Sequence, residues 1–262
     1  MPMCLIAFAW RTHPRWPLVL MANRDEFHGR PAAPAAFLAD APDVFGGIDL
    51  RAGGSWLLAS RRRRLAAVTN VRVGLAAETA PRSRGDLVRD FAASRASAPE
   101  FLDRLASKAG EYGRFNLLLW DGASMHCASN HPTFGSVEIA PGLHALSNAS
   151  LNTGWPKALR AKGALSAWLD AHAADPGASH DTGPLFAALA DTVPAPDAEL
   201  PDTGVGLELE RRLSPPFVLG ETYGTRCSTL VLVESGRIVL AERRFGPDGV
   251  FIGDGEIEAC EA

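Results

Sequence analysis

Cysteine is scarce in this chain: there are four in 262 residues, Cys4, Cys127, Cys227 and Cys260, at distant and irregular spacings. They form neither a metal-ligand pattern nor a disulfide framework, so a reduced, cytoplasmic protein is the simplest reading. No apolar run approaches the length of a membrane span, and integral membrane association is not expected. A signal peptide is not expected either, because no basic region precedes the first apolar stretch and Arg11, His13 and Arg15 interrupt it. Positive charge is not in excess. Lys and Arg number 26 against 30 Asp and Glu, for a formal net charge of −4, which argues against a general nucleic-acid binder. Also absent are G-x-S-x-G, a phosphate-binding glycine loop, H-E-x-x-H and C-x-x-C. Cys127 and His131 lie close together, but one Cys and one His do not make a metal site, and no metal is expected.

What is present is enough apolar material for a large core, at 47% hydrophobic. No composition break divides it, so residues 1–262 read as one domain. Leu5–Trp10 and Leu18–Asn23 are apolar runs too short for helices and are expected as strands. Pro31, Pro34 and Pro42 then predict a long extended loop. Ser55–Ala59 and Leu65–Thr69 read as strands, with Arg61–Arg64 as a solvated turn between them. Ser83 and Ser97 open two helices with capping-box spacing, expected to reach about Ala96 and Ala109 as an antiparallel pair. Phe115–Trp120 and Met125–Ser129 form a hairpin across Asp121-Gly122, and Leu143–Ser147 is another strand. Pro156 starts a helix with Leu159, Leu165, Trp168, Leu169 and His172 largely on one face. A further helix over Pro184–Thr192, an irregular loop over Pro194–Gly220 and a hairpin of Thr225–Glu234 with Arg237–Arg244 complete the chain. Blocks of strands between helix pairs indicate an α+β layered domain rather than alternating βαβ units.

Four of these strands end in polar residues of the kind chemistry uses: Asn23-Arg24-Asp25-Glu26, Asn70, Asn148 and Thr225-Arg226. Cys4 lies at the start of a fifth. Asparagines can hold an amine or stabilise an oxyanion, an arginine favours a thiolate, and a carboxylate can hold an ammonium or accept a proton. Singly, each asparagine is explained by a turn and Cys4 by burial as a small apolar group. The combination points to one pocket, taking a small-molecule ligand or substrate.

The ordered set is specific. Cys4, Asn23-Arg24-Asp25-Glu26-Phe27, Arg30-Pro31, Gly53-Gly54-Ser55-Trp56, Val68-Thr69-Asn70, Arg84-Gly85, Phe115-Asn116-Leu117-Leu118, Ser129-Asn130, Leu146-Ser147-Asn148, Trp155-Pro156-Lys157 and Tyr223-Gly224-Thr225-Arg226 resemble the NRDE family, whose eukaryotic members are called transport and Golgi organisation protein 2. The resemblance implies an N-terminal-nucleophile (Ntn) hydrolase-like fold, a four-layer αββα sandwich. It is similar to choloylglycine and penicillin V acylases, in which an N-terminal cysteine attacks an amide and its own α-amine is the base. By that likeness Cys4 is the expected nucleophile, Arg24 lies near the thiol, and Asp25 holds the α-amine. Asn70 resembles the oxyanion-hole asparagine, Asn148 the one that orients amine and substrate, and Arg226 the late arginine. Asn23 and Glu26 are expected in substrate binding. The order of the tetrad differs from the arginine–asparagine–x–aspartate of those acylases. A free α-amine requires that a start at Met3 and removal of that methionine expose Cys4.

Two functions follow from the resemblance. One is an amidohydrolase acting on a small amide through Cys4, with no cofactor. The other is a haem-trafficking or haem-binding protein, with haem as ligand. A scaffold with structural duties stands behind both, because fold does not settle function.

Overall fold

The computed structural model describes residues 3–75, 78–173 and 181–261. Strands β1 (Met3–Trp10) and β2 (Leu18–Phe27) are followed by β3 (Ala32–Leu38), β4 (Ala41–Asp49), β5 (Leu57–Ser60) and β6 (Arg64–Asn70). Helices α1 (Arg84–Ala93) and α2 (Ala98–Ala106) lead to β7 (Phe115–Trp120), β8 (Met125–Ser129), β9 (Gly135–Glu138) and β10 (Gly142–Leu146). Then come α3 (Pro156–His172), α4 (Gly183–Leu189), the short α5 (Leu207–Arg212), and strands β11 (Tyr223–Glu234), β12 (Arg237–Phe245) and β13 (Phe251–Cys260).

The strands make two antiparallel sheets, one in the order β10-β1-β2-β11-β12-β13 and one running β3 to β9 in sequence order. Ile6, Phe8 and Leu20 of the first sheet meet Phe45, Leu57 and Trp120 of the second in a core between them. The opposite face of the first sheet, with Leu5 and Val19, packs on Leu165 and Trp168 of α3. The outer face of the second, with Leu58 and Leu117, packs on Leu87 and Phe91 of α1 and Leu102 of α2. The result is the four-layer αββα sandwich. Its central strands are covered on both faces, which is why β1, the Leu18–Ala22 half of β2 and most of β7 read as apolar runs rather than alternating ones. No described helix is long and apolar enough to cross a membrane.

Several expectations are corrected. The stretch expected as a proline-held loop is the β3–β4 hairpin. Pro34 is tolerated because β3 is an edge strand and its register slips between Ala33 and Ala36. Of the four turn arginines, Arg64 is not solvated: it opens β6, is buried, and its guanidinium donates to the carbonyls of Phe91 and Ala96. Leu159 is exposed, and Lys157 takes a place on the buried face of α3 instead. The 194–220 loop carries α5, and β9 and β13 are additional edge strands whose residues are mostly exposed. The capping box of α2 is formed, with Ser97 accepting from the Glu100 N–H and Glu100 accepting from the Ser97 N–H.

Candidate active site

The tetrad does not end a strand. β2 runs through it to Phe27 because β11 pairs along its outer edge, with Gly224 opposite Glu26 and Thr225 opposite Asp25. Strand alternation then divides the four residues. Arg24 and Glu26 share the inter-sheet face with Leu20 and Ala22, while Asn23 and Asp25 share the helix-covered face with Val19 and Met21. On β1, Cys4 lies directly opposite Arg24 and on the same face as Ile6 and Phe8.

Cys4, Arg24, Asp25, Glu26 and Asn70 line one cavity of about 380 Å³, with Arg30, Asp49, Trp56, Val68 and Arg84 among its other walls. Five of the expected residues are therefore brought together. The ion pairs on this wall are graded. Arg30 holds Asp49 at 2.6 Å, whereas Arg24 stands 3.7 Å from Asp49 and 4.0 Å from Glu26.

Asn70 ends β6 and arrives from the other sheet. Its Oδ1 and backbone carbonyl both accept from the Asn148 side-chain amide, at 3.1 and 2.8 Å. With Oδ1 so engaged, the Nδ2 end of Asn70 is the end left for the cavity. Asn148 is fully buried and does not line the cavity. The Ser147 hydroxyl donates its one proton to the Cys4 carbonyl at 2.9 Å and shares it with Asn148 Oδ1 at 3.2 Å. The segment after β10 thus ties the Cys4 strand to the Asn70 strand.

Two expected residues lie elsewhere. Asn23 is fully buried, donating to the carbonyls of Leu189 and Pro216 and accepting from Ser228 Oγ. It pins α4 and the 214–217 segment to the sheet. Arg226 sits at the β-bulge between Thr225 and Cys227, and its Nη1 donates to the carbonyls of Phe27, His28 and Arg30. It lines a separate cavity of about 50 Å³ with Cys227 and Glu242, not the Cys4 cavity.

Electrostatics correct the expected state of the thiol. Burial pushes Cys4 up to about 12, the Asp25 carboxylate beside it pushes the same way, and Arg24 opposes them only in part. A hydrogen bond from the Asp25 backbone also favours the thiolate. Asp25 is itself pushed up to about 6 by burial, against the pull of Lys157 and of the Thr225 hydroxyl, which donates to Asp25 Oδ1 at 2.7 Å.

Lys157 is a buried charged residue to which the sequence reading gives no role. It lies in the first turn of α3, behind Pro156, and is 1% exposed. Its Nζ and Asp25 Oδ2 are both buried without a hydrogen-bond partner among the described residues. Burial lowers the amine to about 8, while Asp25, Cys4 and Glu210 favour its charge and Arg72 opposes it. A signal existed: Lys157 precedes Ala161 and Leu165 by four and eight residues, the helical spacing of the buried stripe. No group of three or more described His, Cys, Asp or Glu residues could hold a metal.

Residues 3–247 match the family described as Transport and Golgi organisation 2. The chain is 33% identical to the Bos taurus Transport and Golgi organization protein 2 homolog and 30% identical to that of Homo sapiens, covering 92% of each chain in both cases. Among solved structures it resembles the Caenorhabditis elegans ortholog of N-acylethanolamine-hydrolyzing acid amidase, with TM-score 0.52 and 10% identity over 87% of this chain and 92% of that one. It is similarly related to a mutant of the conjugated bile acid hydrolase from Clostridium perfringens, with TM-score 0.51 and 10% identity over 97% of this chain and 92% of that one. At such identities the likeness is one of fold, that of the Ntn hydrolases.

Proposed function

The chain belongs to the Transport and Golgi organisation 2 family, and on that premise we propose that it is an Ntn-type amidohydrolase cleaving a small linear amide through Cys4. The observation that carries this reading is the meeting of Cys4 and Asn70, from opposite sheets, in one cavity, with Asn148 holding the amide of Asn70 by its oxygen end. The Cys4 sulfur attacks the amide carbon, and Asn70 Nδ2 donates to the oxygen on which negative charge develops. The thiol proton passes to the α-amine of a mature N-terminal Cys4, held by Asp25, and from there to the leaving amine. Water then adds to the thioester, releasing the acid and restoring the thiol. A thiol raised to about 12 needs such a base close by, since the thiolate is the nucleophile.

The test pairs turnover with haem titration on the parent, Cys4→Ala and Asn70→Ala proteins. The reading expects hydrolysis of at least one N-acyl amide, a thioester on Cys4 trapped by an acyl probe and seen by intact mass, and loss of both in Cys4→Ala. No turnover on any amide, with haem binding tight and indifferent to both changes, would put haem carriage in its place.

A further inference from the structure

We propose that the Cys4 cavity recognises a carboxylate on its substrate and that Arg24 binds it, so that the amide cleaved is small and anionic rather than fatty. This rests on the amidohydrolase reading for the cleavage, but not for the binding.

Arg24 is 6% exposed, yet among the described residues no hydrogen bond reaches its guanidinium. The nearest carboxylate oxygens, on Asp49 and Glu26, stand at 3.7 and 4.0 Å, beyond hydrogen-bond range. Both acids are engaged elsewhere: Asp49 Oδ2 accepts from Arg30 at 2.6 Å, and Glu26 Oε1 accepts from the Phe27 N–H at 2.8 Å. The guanidinium lines the cavity with its donors unengaged by the described residues, so they are available to an acceptor on a ligand. Its planar fork of donors matches a carboxylate held bidentately.

The position suits a substrate anion. Arg24 is the cross-strand neighbour of Cys4, and such neighbours have Cβ atoms about 5 Å apart. A carboxylate on Arg24 therefore lies within a few bonds of a carbonyl presented to the sulfur. Arg84, at the start of α1, adds positive charge to the same wall. Among the described residues its guanidinium donates to the Arg114 carbonyl and stands 3.7 Å from Glu78.

The size of the space points the same way. At about 380 Å³ the cavity is near the small end for ligand sites. Its lining is mainly polar and charged, with Trp56, Val68 and Pro81 the larger apolar members. A long acyl chain would leave those charges desolvated without partners.

The probes are N-acetylglycine, its uncharged amide, and an N-acylethanolamine. Binding is read by saturation-transfer NMR on the folded protein and by protection of Cys4 from iodoacetamide, followed by peptide mass spectrometry. N-acetylglycine should bind and protect saturably, and the two neutral compounds about tenfold more weakly or not at all. Arg24→Leu should weaken N-acetylglycine by about tenfold or more and leave the neutral compounds unchanged, while Arg24→Lys should retain part of the preference. If Arg24→Leu does not fold, as its melting curve will show, Arg84→Leu must reduce the same preference to a smaller extent. Equal binding of charged and neutral amides, no binding of N-acetylglycine by NMR, or an unchanged preference in folded Arg24→Leu overturns the inference. Anion-selective binding without turnover would retire the hydrolase and leave the anion site standing.

Discussion

Asn148 holds Asn70 by its oxygen end. The Asn148 Nδ2 donates at 2.8 Å to the Asn70 carbonyl and at 3.1 Å to its Oδ1. The two residues belong to different segments, 78 positions apart, and Asn148 touches none of the space around the thiol. It decides which end of the Asn70 amide faces the cavity, and in the proposed hydrolase that is the end offered to the substrate carbonyl.

Replacing Asn148 by Asp removes that donor while keeping its size. Turnover of the amide that the parent cleaves should then fall nearly as far as in Asn70→Ala, roughly a hundred- to a thousandfold, mainly in kcat. Asn148→Ala should also destabilise the fold by about 1–3 kcal/mol, because the Ser147 hydroxyl and the Asn70 carbonyl lose a buried partner. Paired kinetics and urea melts check both; an Asn148→Asp protein of full activity would refute the positioning role.

Activity should require a free amine on Cys4. Protein whose first residue is Cys4 is expected to turn over, and protein that keeps Met1 or Pro2 is expected to be inert. N-terminal sequencing of material from the natural host, alongside turnover, is the measurement. An active protein beginning at Pro2 would end the α-amine mechanism.

In the chain that retains residues ahead of Cys4, the thiol lies near 12. Its alkylation should therefore rise steadily with pH up to that region, and exposed Cys260 should be labelled well before it at neutral pH. Because the Asp25 charge raises the thiol, Asp25→Asn should speed Cys4 alkylation even as it lowers turnover. A slower Cys4 in that variant would reverse the assigned sign.

The pair Asp25 and Lys157 should leave a mark on stability. Asp25 is raised from 3.8 to about 6 on folding, so the native state holds its proton longer. Its contribution is present below about pH 4 and lost as pH rises through 6. Lys157 is lowered from 10.5 to about 8, so its contribution is present at high pH and lost as pH falls through 8. Between pH 6 and 8 both are charged, and their mutual attraction offsets part of the burial penalty. Lys157→Met should raise Asp25 further, moving the acid limb of kcat/KM to higher pH. The double change with Asp25→Asn should cost less than the sum of the singles, with a coupling of about 0.5–3 kcal/mol. Additive singles and an unmoved acid limb would show that the two groups do not interact.

Much of the fold was legible in the chain itself. The runs Leu5–Trp10, Leu18–Asn23, Phe115–Trp120 and Thr225–Glu234 mark strands of the two sheets, since the desolvation of a central strand is written into most of its residues. Ser97 with Glu100 marks a helix start, because a cap is a local bond between near neighbours. Of the eight residues expected in one pocket, Cys4, Arg24, Asp25, Glu26 and Asn70 line one cavity, while Asn23, Asn148 and Arg226 do not.

What the sequence by itself determined is which segments become strands and helices and which polar residues stand out among them, because propensity, period and capping act over a few residues. Only the tertiary structure decided what those polar residues face. β2 continues through the tetrad because β11, some 200 residues later, pairs with it. That pairing sends Arg24 toward the thiol and Asn23 away from it. Arg226 is turned onto the 27–30 carbonyls by a bulge that no local pattern announces. Lys157 is buried against Asp25 because α3 lies across β1. In each case the deciding term is a long-range pairing, and neither period nor propensity extends that far along the chain.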